Sequence, residues 1–184
     1  MRRVLWGALK FNAGLLAAVT LFTQLASGQT QKLSQGWMEE FDLAARHLVA
    51  LAEAIPAEKY SWRPGPGVRS TSEVFVHIAY GNYWLTAQAG GKIPDGTPDI
   101  PPDLEKKVTA KADVLRWLKN SMDTVKQAYP ATDRTKTVRF LGRDTTSEAV
   151  FLRLLVHNHE HMGQSVAYAR MMGVVPPWSK PSSK

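Results

Sequence analysis

The stretch "LLVHNHEHMGQ", Leu154 to Gln164, decides the fold because it sets His157, His159 and His161 at alternate positions. A strand repeats every second residue and would point all three imidazoles to one face. A helix turns about 100° per residue, so His157 and His161 lie about 40° apart while His159 sits roughly 160° from His161. Secondary structure therefore selects which histidines can act together.

The surroundings read as helix. No proline interrupts Thr145 to Gly173; Thr145 and Glu148 make a capping box at the start, and Gly173 followed by Pro176 and Pro177 stops it. Val150, Leu154, His161, Gln164, Tyr168 and Met172 share the stripe of His157 at helical spacing, and His159 falls outside it. Each imidazole on a core-facing stripe brings a polar ring that must find partners. Hydrogen bonds within the core would satisfy the pair, and so would a divalent metal.

Working outward, the N-terminus has basic residues first, an apolar run from Ala13 to Phe22, and small residues at Ala26 and Gly28. That order is the signature of a secretory signal peptide spanning 1–28, with the mature domain at 29–184 and an exported, periplasmic or extracellular location. Lys10 and Gln24 leave too short an apolar run for a spanning helix of about 20 residues, so no stable membrane insertion is expected after cleavage. Removal of 1–28 takes away Arg2, Arg3 and Lys10 and no acid, so the formal charge of +7 is partly a property of the leader. The remaining Lys and Arg are dispersed, which excludes an electrostatic footprint for nucleic acid. Zero Cys excludes disulfides, thiolate ligands and a Cys nucleophile. A metal site here must use His, carboxylate or water.

Four helical segments are legible, with no convincing strand pattern between them. The first, about Gln31 to Ile55, puts Trp37, Phe41, Ala45, Leu48 and Leu51 on one face before Pro56. The breaker cluster "RPGPGVR" leads to "STSE", where Ser70 and Glu73 cap a second helix running to about Gly90. The third, about Ala110 to Tyr129, ends before Pro130, and the fourth carries the histidines. The long Pro- and Gly-rich link "GGKIPDGTPDIPPDLEKK" between the second and third can cross the whole molecule. The expected fold is all-α, a four-helix bundle with one long crossover.

Catalytic zinc normally has three protein ligands plus water, so the His157–His161 pair needs a third. "HNHEH" fits H-x-x-E-H, the inverted zinc-protease pattern with Glu160 as base. Residues 162–184 hold no Asp, Glu, His or Cys to supply that pattern's downstream ligand. H-E-x-x-H fails as well, because Gly163 stands at its last position. Upstream, His77 shares a core-facing stripe with Val74, Gly81, Trp84 and Gln88, and Gly81, one turn on, would admit a close neighbouring helix. His47 lies about 100° off its helix's apolar line and reads as solvated. His77 is the better third ligand.

At this point "EVFVHIAYGNYW" together with "HNHEHMGQSVAYARMMGVVPPWS" resembles the DinB/YfiT-like superfamily of metal-dependent enzymes, over about Gln31 to Ser179. The resemblance implies an up-down-down-up bundle with a metal held by His77, His157 and His161, and leaves His159 outside the pattern. Imidazole suits Zn, Ni, Cu and Fe, with Zn and Ni the leading expectations. Neutral His₃ ligation leaves open positions, lowers the pKa of bound water to about 7, or deprotonates a bound thiol. Two reactions follow for a small-molecule substrate: thiol S-transferase-like chemistry, or metal-hydroxide hydrolysis with Glu160 as catalytic base or as a solvated residue. Gln164 is expected to orient a ligand or a metal-bound water, and Gln164, Tyr168 and Trp84 to line the pocket. The alternative is a non-enzymatic, metal-stabilised binding domain with Trp37, Tyr80, Tyr83, Trp84 and Tyr168 around its ligand, although Trp37 reads better as core. A homodimer is compatible with all of these.

Overall fold

The computed structural model describes residues 36–95, 97, 100, 101 and 103–179. The expected signal peptide and the expected first turn of the first helix lie outside them. Helix α1, Trp37–Ala54, buries Phe41, Ala44, Ala45, Leu48, Leu51 and Ala52 at helical spacing and stops at Ile55 before Pro56. A 3₁₀ turn at Ala57–Lys59 follows, tied back by the buried Tyr60 hydroxyl donating to the Ala52 carbonyl at 2.7 Å.

Helix α2, Thr71–Gln88, starts on the expected capping box. The Glu73 N–H donates to Ser70 Oγ, and the Ser70 N–H donates to the Glu73 carboxylate at 2.6 Å. Buried residues occur all round α2, from Val74, Phe75 and Val76 to Asn82 and Leu85, because it packs against α4 and α5 as well as the hairpin. A helix so enclosed needs apolar or paired polar residues on nearly every face.

The crossover contains an element that the sequence reading did not foresee, the one-turn helix α3, Leu104–Lys107, anchored by buried Leu104. Helix α4, Lys111–Ala131, extends past the expected stop and includes Pro130. Proline within the last turn removes a single N–H donor, and Thr132 Oγ1 donates to the Ala128 carbonyl at 2.7 Å to help close the end.

The all-α expectation needs a correction. Strands β1, Thr137–Phe140, and β2, Arg143–Thr146, pair antiparallel with Phe140 opposite Arg143. Leu141 and Gly142 turn between them at φ 47° and 78°, the two positive values that a two-residue type I′ loop requires. Val138 and Phe140 point inward onto the core. The hairpin also moves the last helix's cap. Thr145 pairs with Val138 in the sheet, and Thr146, not Thr145, accepts from the Ala149 N–H to start α5, Ser147–Met171. Gly173, at φ 76°, ends α5 with its N–H on Arg170 O while Val174 N–H reaches Ala169 O, the paired closure of a Schellman motif.

The fold is thus mostly helical with a small two-stranded sheet. Helix α5 packs on α1 and α2, and α4 packs on the same two helices. Among the described residues, no helix is long and apolar enough to cross a membrane.

Candidate metal centre

Helices α2 and α5 pack so closely that one glycine decides the site. A Cβ built on Gly81 would stand 2.3 Å from His157 Cε1 and 2.8 Å from its Nδ1. The absent side chain is the space into which the His157 ring fits. One turn earlier on α2, His77 reaches the same place, and one turn later on α5 so does His161. The ring centroids are 5.1 Å apart for His77 and His157, 4.7 Å for His77 and His161, and 4.5 Å for His157 and His161. One nitrogen from each ring lies within 4.8 Å of the others, a grouping able to hold a metal ion.

Partners on the far side of two rings set their tautomers. His77 Nδ1 lies 2.7 Å from Glu105 Oε1; a carboxylate only accepts, so Nδ1 carries the proton and the neutral ring keeps its lone pair on Nε2. His161 Nδ1 lies 2.8 Å from Gln164 Oε1, whose NH₂ donates to the Tyr168 hydroxyl at 3.0 Å. Tyr168 in turn donates to the Arg69 carbonyl at 3.3 Å. That chain of donors leaves His161 Nε2 bare as well. His157 Nε2 faces His77 Nε2 at 3.2 Å, and His157 Nδ1 is buried without a hydrogen-bond partner.

Electrostatics favour neutral rings. Burial, reinforced by the neighbouring His161 and His77, pulls His157 down to about 3. Burial also lowers His77, outweighing the lift from its Glu105 hydrogen bond. His77 is therefore neutral at pH 7, and its contact with Glu105 is a charge-assisted hydrogen bond and not an ion pair. For Glu105, burial pushes the carboxyl up, but hydrogen bonds from Arg69 and His77 overcome it and hold the group below its ordinary value.

These residues fit a divalent cation. Imidazole nitrogens bind zinc at about 2.0–2.1 Å, which in a tetrahedral site sets neighbouring donors about 3.3 Å apart; His77 and His157 present theirs at 3.2 Å. Neutral rings, bare lone pairs and a buried ring short of partners are what a cation would satisfy. A cleft of about 900 Å³ is lined by Glu105 and Gln164, the partners of His77 and His161, together with Arg63, Arg69, Glu73 and Lys106.

The other sequence-predicted residues are placed elsewhere. His159 turns away, Nδ1 to the Leu155 carbonyl at 3.0 Å and Nε2 to Glu40 at 2.9 Å. Glu160 is exposed and paired with Arg153, whose hydrogen bond lowers its pKa. Tyr168 is buried and joins the relay from His161. Trp84 is 37% exposed and leans on Phe140 of the hairpin, 5.8 Å between centroids. The aromatics proposed to surround a ligand do not gather: Trp37 stacks on Tyr129 at 3.9 Å, Tyr83 meets Trp117, and Tyr168 meets Trp62. His47, expected in solvent, is half-buried and stacks on Trp178 at 4.1 Å. Sequence reading missed Glu105 and Arg69. The only available signal was general, that a ligating histidine usually gives its second N–H to a carboxylate or carbonyl.

Comparison with known proteins identifies the family and the fold. The DinB superfamily profile matches residues 40–165. The chain belongs to the DinB superfamily. Solved structures with a similar fold include a DinB-like protein from Bacillus cereus ATCC 10987, at TM-score 0.66 and 20% identity over 78% of this chain and 95% of that one. A DinB-like protein from Bacillus subtilis aligns at TM-score 0.58 and 19% identity over 80% and 99%. A conserved protein from Enterococcus faecalis aligns at TM-score 0.56 and 17% identity over 78% and 99%. At these identities the likeness concerns the fold. No curated protein sequence matches the chain.

Proposed function

We propose that this DinB-superfamily chain is a metal-dependent enzyme acting on a small molecule, with His77, His157 and His161 holding one divalent cation, zinc or nickel. The observation that carries this reading is the convergence of three imidazoles on one point, with the far nitrogens of His77 and His161 already engaged by Glu105 and Gln164. A cation held by neutral imidazoles supplies Lewis acidity to a thiol or a water that reacts with an electrophilic small molecule. The chain's own residues hold the rings in the ligating tautomer, and the cleft beside them admits the substrate. The pairing of Glu160 with Arg153 on the surface weighs against its use as the proton carrier here. The dispersal of the aromatic residues weighs against a purely ligand-binding domain.

Two finer readings belong to the same proposal. The four long helices run up-down-down-up, supported by contacts at one end of the molecule. There Trp37, opening α1, donates to the Phe151 carbonyl near the start of α5, and Ser147, opening α5, donates to the Ala89 carbonyl just past α2. The protein is exported, with cleavage after Gly28, supported by the order of basic, apolar and small residues at the N-terminus. Intact mass of protein from the native envelope checks the latter, and retention of Met1 would overturn it.

The metal reading is tested by titrating chelator-stripped protein with zinc or nickel. One cation per chain is expected, lost in His77→Ala, His157→Ala or His161→Ala and kept in His159→Ala. Loss in His159→Ala with retention in His77→Ala would sink the assignment. Activity screens with thiol acceptors and esters, the unsubstituted chain against His77→Ala, then separate the two reactions.

A further inference from the structure

Two hydrogen-bond chains leave the histidine centre by different routes, and both end on one residue. From His77, Nδ1 leads to Glu105, and the Arg69 guanidinium grips that carboxylate through Nε to Oε2 at 2.6 Å and Nη2 to Oε1 at 3.3 Å. From His161, the relay passes through Gln164 and the Tyr168 hydroxyl to the main-chain carbonyl of Arg69. Arg69 itself is held from both sides. Arg63 Nη1 donates to the Val68 carbonyl at 2.8 Å and Arg63 Nη2 pairs with Glu73, while the next residue, Ser70, caps α2. Gly67, at φ 74°, supplies the turn that brings the loop there.

We propose that Arg69 is the positioning residue of the metal centre, fixing His77 through its side chain and Glu105, and His161 through its carbonyl, Tyr168 and Gln164. The inference rests on the metal reading above and adds to it a residue outside the ligand set. It also assigns a purpose to α3. That single turn of the crossover carries Glu105 to His77, so the long link contributes a side chain to the centre as well as joining two helices.

Energetics separate this role from a merely structural one. The Arg69 and Glu105 side chains are 44% and 23% exposed, and ion pairs that reach solvent contribute little to folding. The carboxylate partner of a ligating histidine instead affects metal affinity by about 10- to 100-fold. Substitution at Arg69 should therefore weaken metal binding far more than stability. Arg69→Lys keeps the charge and loses the planar fork that spans both carboxylate oxygens.

The test measures cobalt(II) and zinc affinity by chelator competition, together with the cobalt d–d absorption spectrum, in the full chain. Arg69→Gln and Glu105→Gln are each expected to lower affinity about 10- to 100-fold and shift the cobalt spectrum. The double variant should be no weaker than the worse single, because both act through one chain. Arg69→Lys should fall between the unsubstituted chain and Arg69→Gln. Tyr168→Phe cuts only the second relay and is expected to lower affinity less than Glu105→Gln. It also serves where Arg69→Gln fails to fold, since the ring's packing is kept. Affinities and spectra unchanged in Arg69→Gln, Glu105→Gln and Tyr168→Phe, while His77→Ala loses the metal, would overturn the positioning role and leave the metal reading standing. Absence of binding by the unsubstituted chain would overturn both.

Discussion

The two halves of α5 pack by different rules. In the first, Val150, Phe151 and Leu154 are completely buried, and the Phe151 ring meets Tyr129 edge-on at 5.1 Å and Trp37 at 5.8 Å. Polar groups there are matched by neutral neighbours, as in the Trp37 indole donating to the Phe151 carbonyl. In the second half, His157, His161, Gln164 and Tyr168 occupy the same inward stripe, and their partners are the His77 ring, one another and the Arg69 carbonyl, with none for His157 Nδ1. The first half exists to be buried, at roughly 1.5–3 kcal/mol for each large apolar side chain. The second half retains unmet polar demand, which stability alone would have removed.

Exchanging the damage between the halves is the strongest way to break this contrast. Phe151→Ala should lower unfolding free energy by about 3–5 kcal/mol while the folded fraction still takes up one cation per chain. His157→Ala should do the reverse, abolishing uptake with a smaller loss of stability when both proteins are compared in chelator. Denaturant unfolding beside metal titration reads both. A Phe151→Ala protein that is folded but cannot bind metal would show the halves to be one unit.

Gly81 sharpens the contrast on the α2 side. Added bulk in a packed interior costs about 1–3 kcal/mol, and Gly81→Ala places that bulk against the His157 ring. If the ring yields, the cost appears as metal affinity, roughly 5- to 150-fold at 1.4 kcal/mol per tenfold. If the helices part instead, it appears as stability with affinity intact. We expect the former, since a ring at the end of a side chain yields more readily than two packed backbones.

How far these features were legible follows from the range of the interactions involved. The His157–His161 pair, the exclusion of His159 and the room at Gly81 are consequences of helical period, and period is written locally. The hairpin was not, because four-residue strands joined by Leu141 and Gly142 carry neither a long alternation nor the Asn-Gly or Asp-Gly signal. Once that sheet forms, Thr145 is taken by Val138 and the cap passes to Thr146. Glu105 lies 28 residues from His77, in a segment that reads as linker, and nothing in its own neighbourhood marks it. His47 was assigned to solvent from its angle on α1, which says nothing of Trp178 returning from the far end of the chain.

Glu160 separates a surface ion pair from a catalytic one. Its carboxylate is half-exposed and held by Arg153, so Glu160→Gln should cost under about 1 kcal/mol and leave metal affinity unchanged. Any metal-dependent turnover found by screening should survive as well. A large fall in turnover at unchanged affinity would restore Glu160 as a proton carrier and require Arg153 to release it.

The smallest expected effect is at His47, a histidine outside the centre that also sits in a partly dry environment. Burial lowers its pKa below 6.5, with Arg46 and His159 adding to the shift. In the unfolded chain the group titrates near its ordinary value, so over the window just below pH 6.5 the unfolded state binds more protons than the folded one. Its contribution to stability is therefore intact above that value and is lost as pH falls through the window. His47→Phe keeps a ring to stack on Trp178 and removes the titration. In chelator, urea midpoints of both proteins should fall between pH 8 and pH 5, because His77 and His157 titrate in each. The unsubstituted chain should fall further. Equal falls would mean that the Trp178 stack opens when His47 charges, leaving its folded and unfolded affinities for the proton the same.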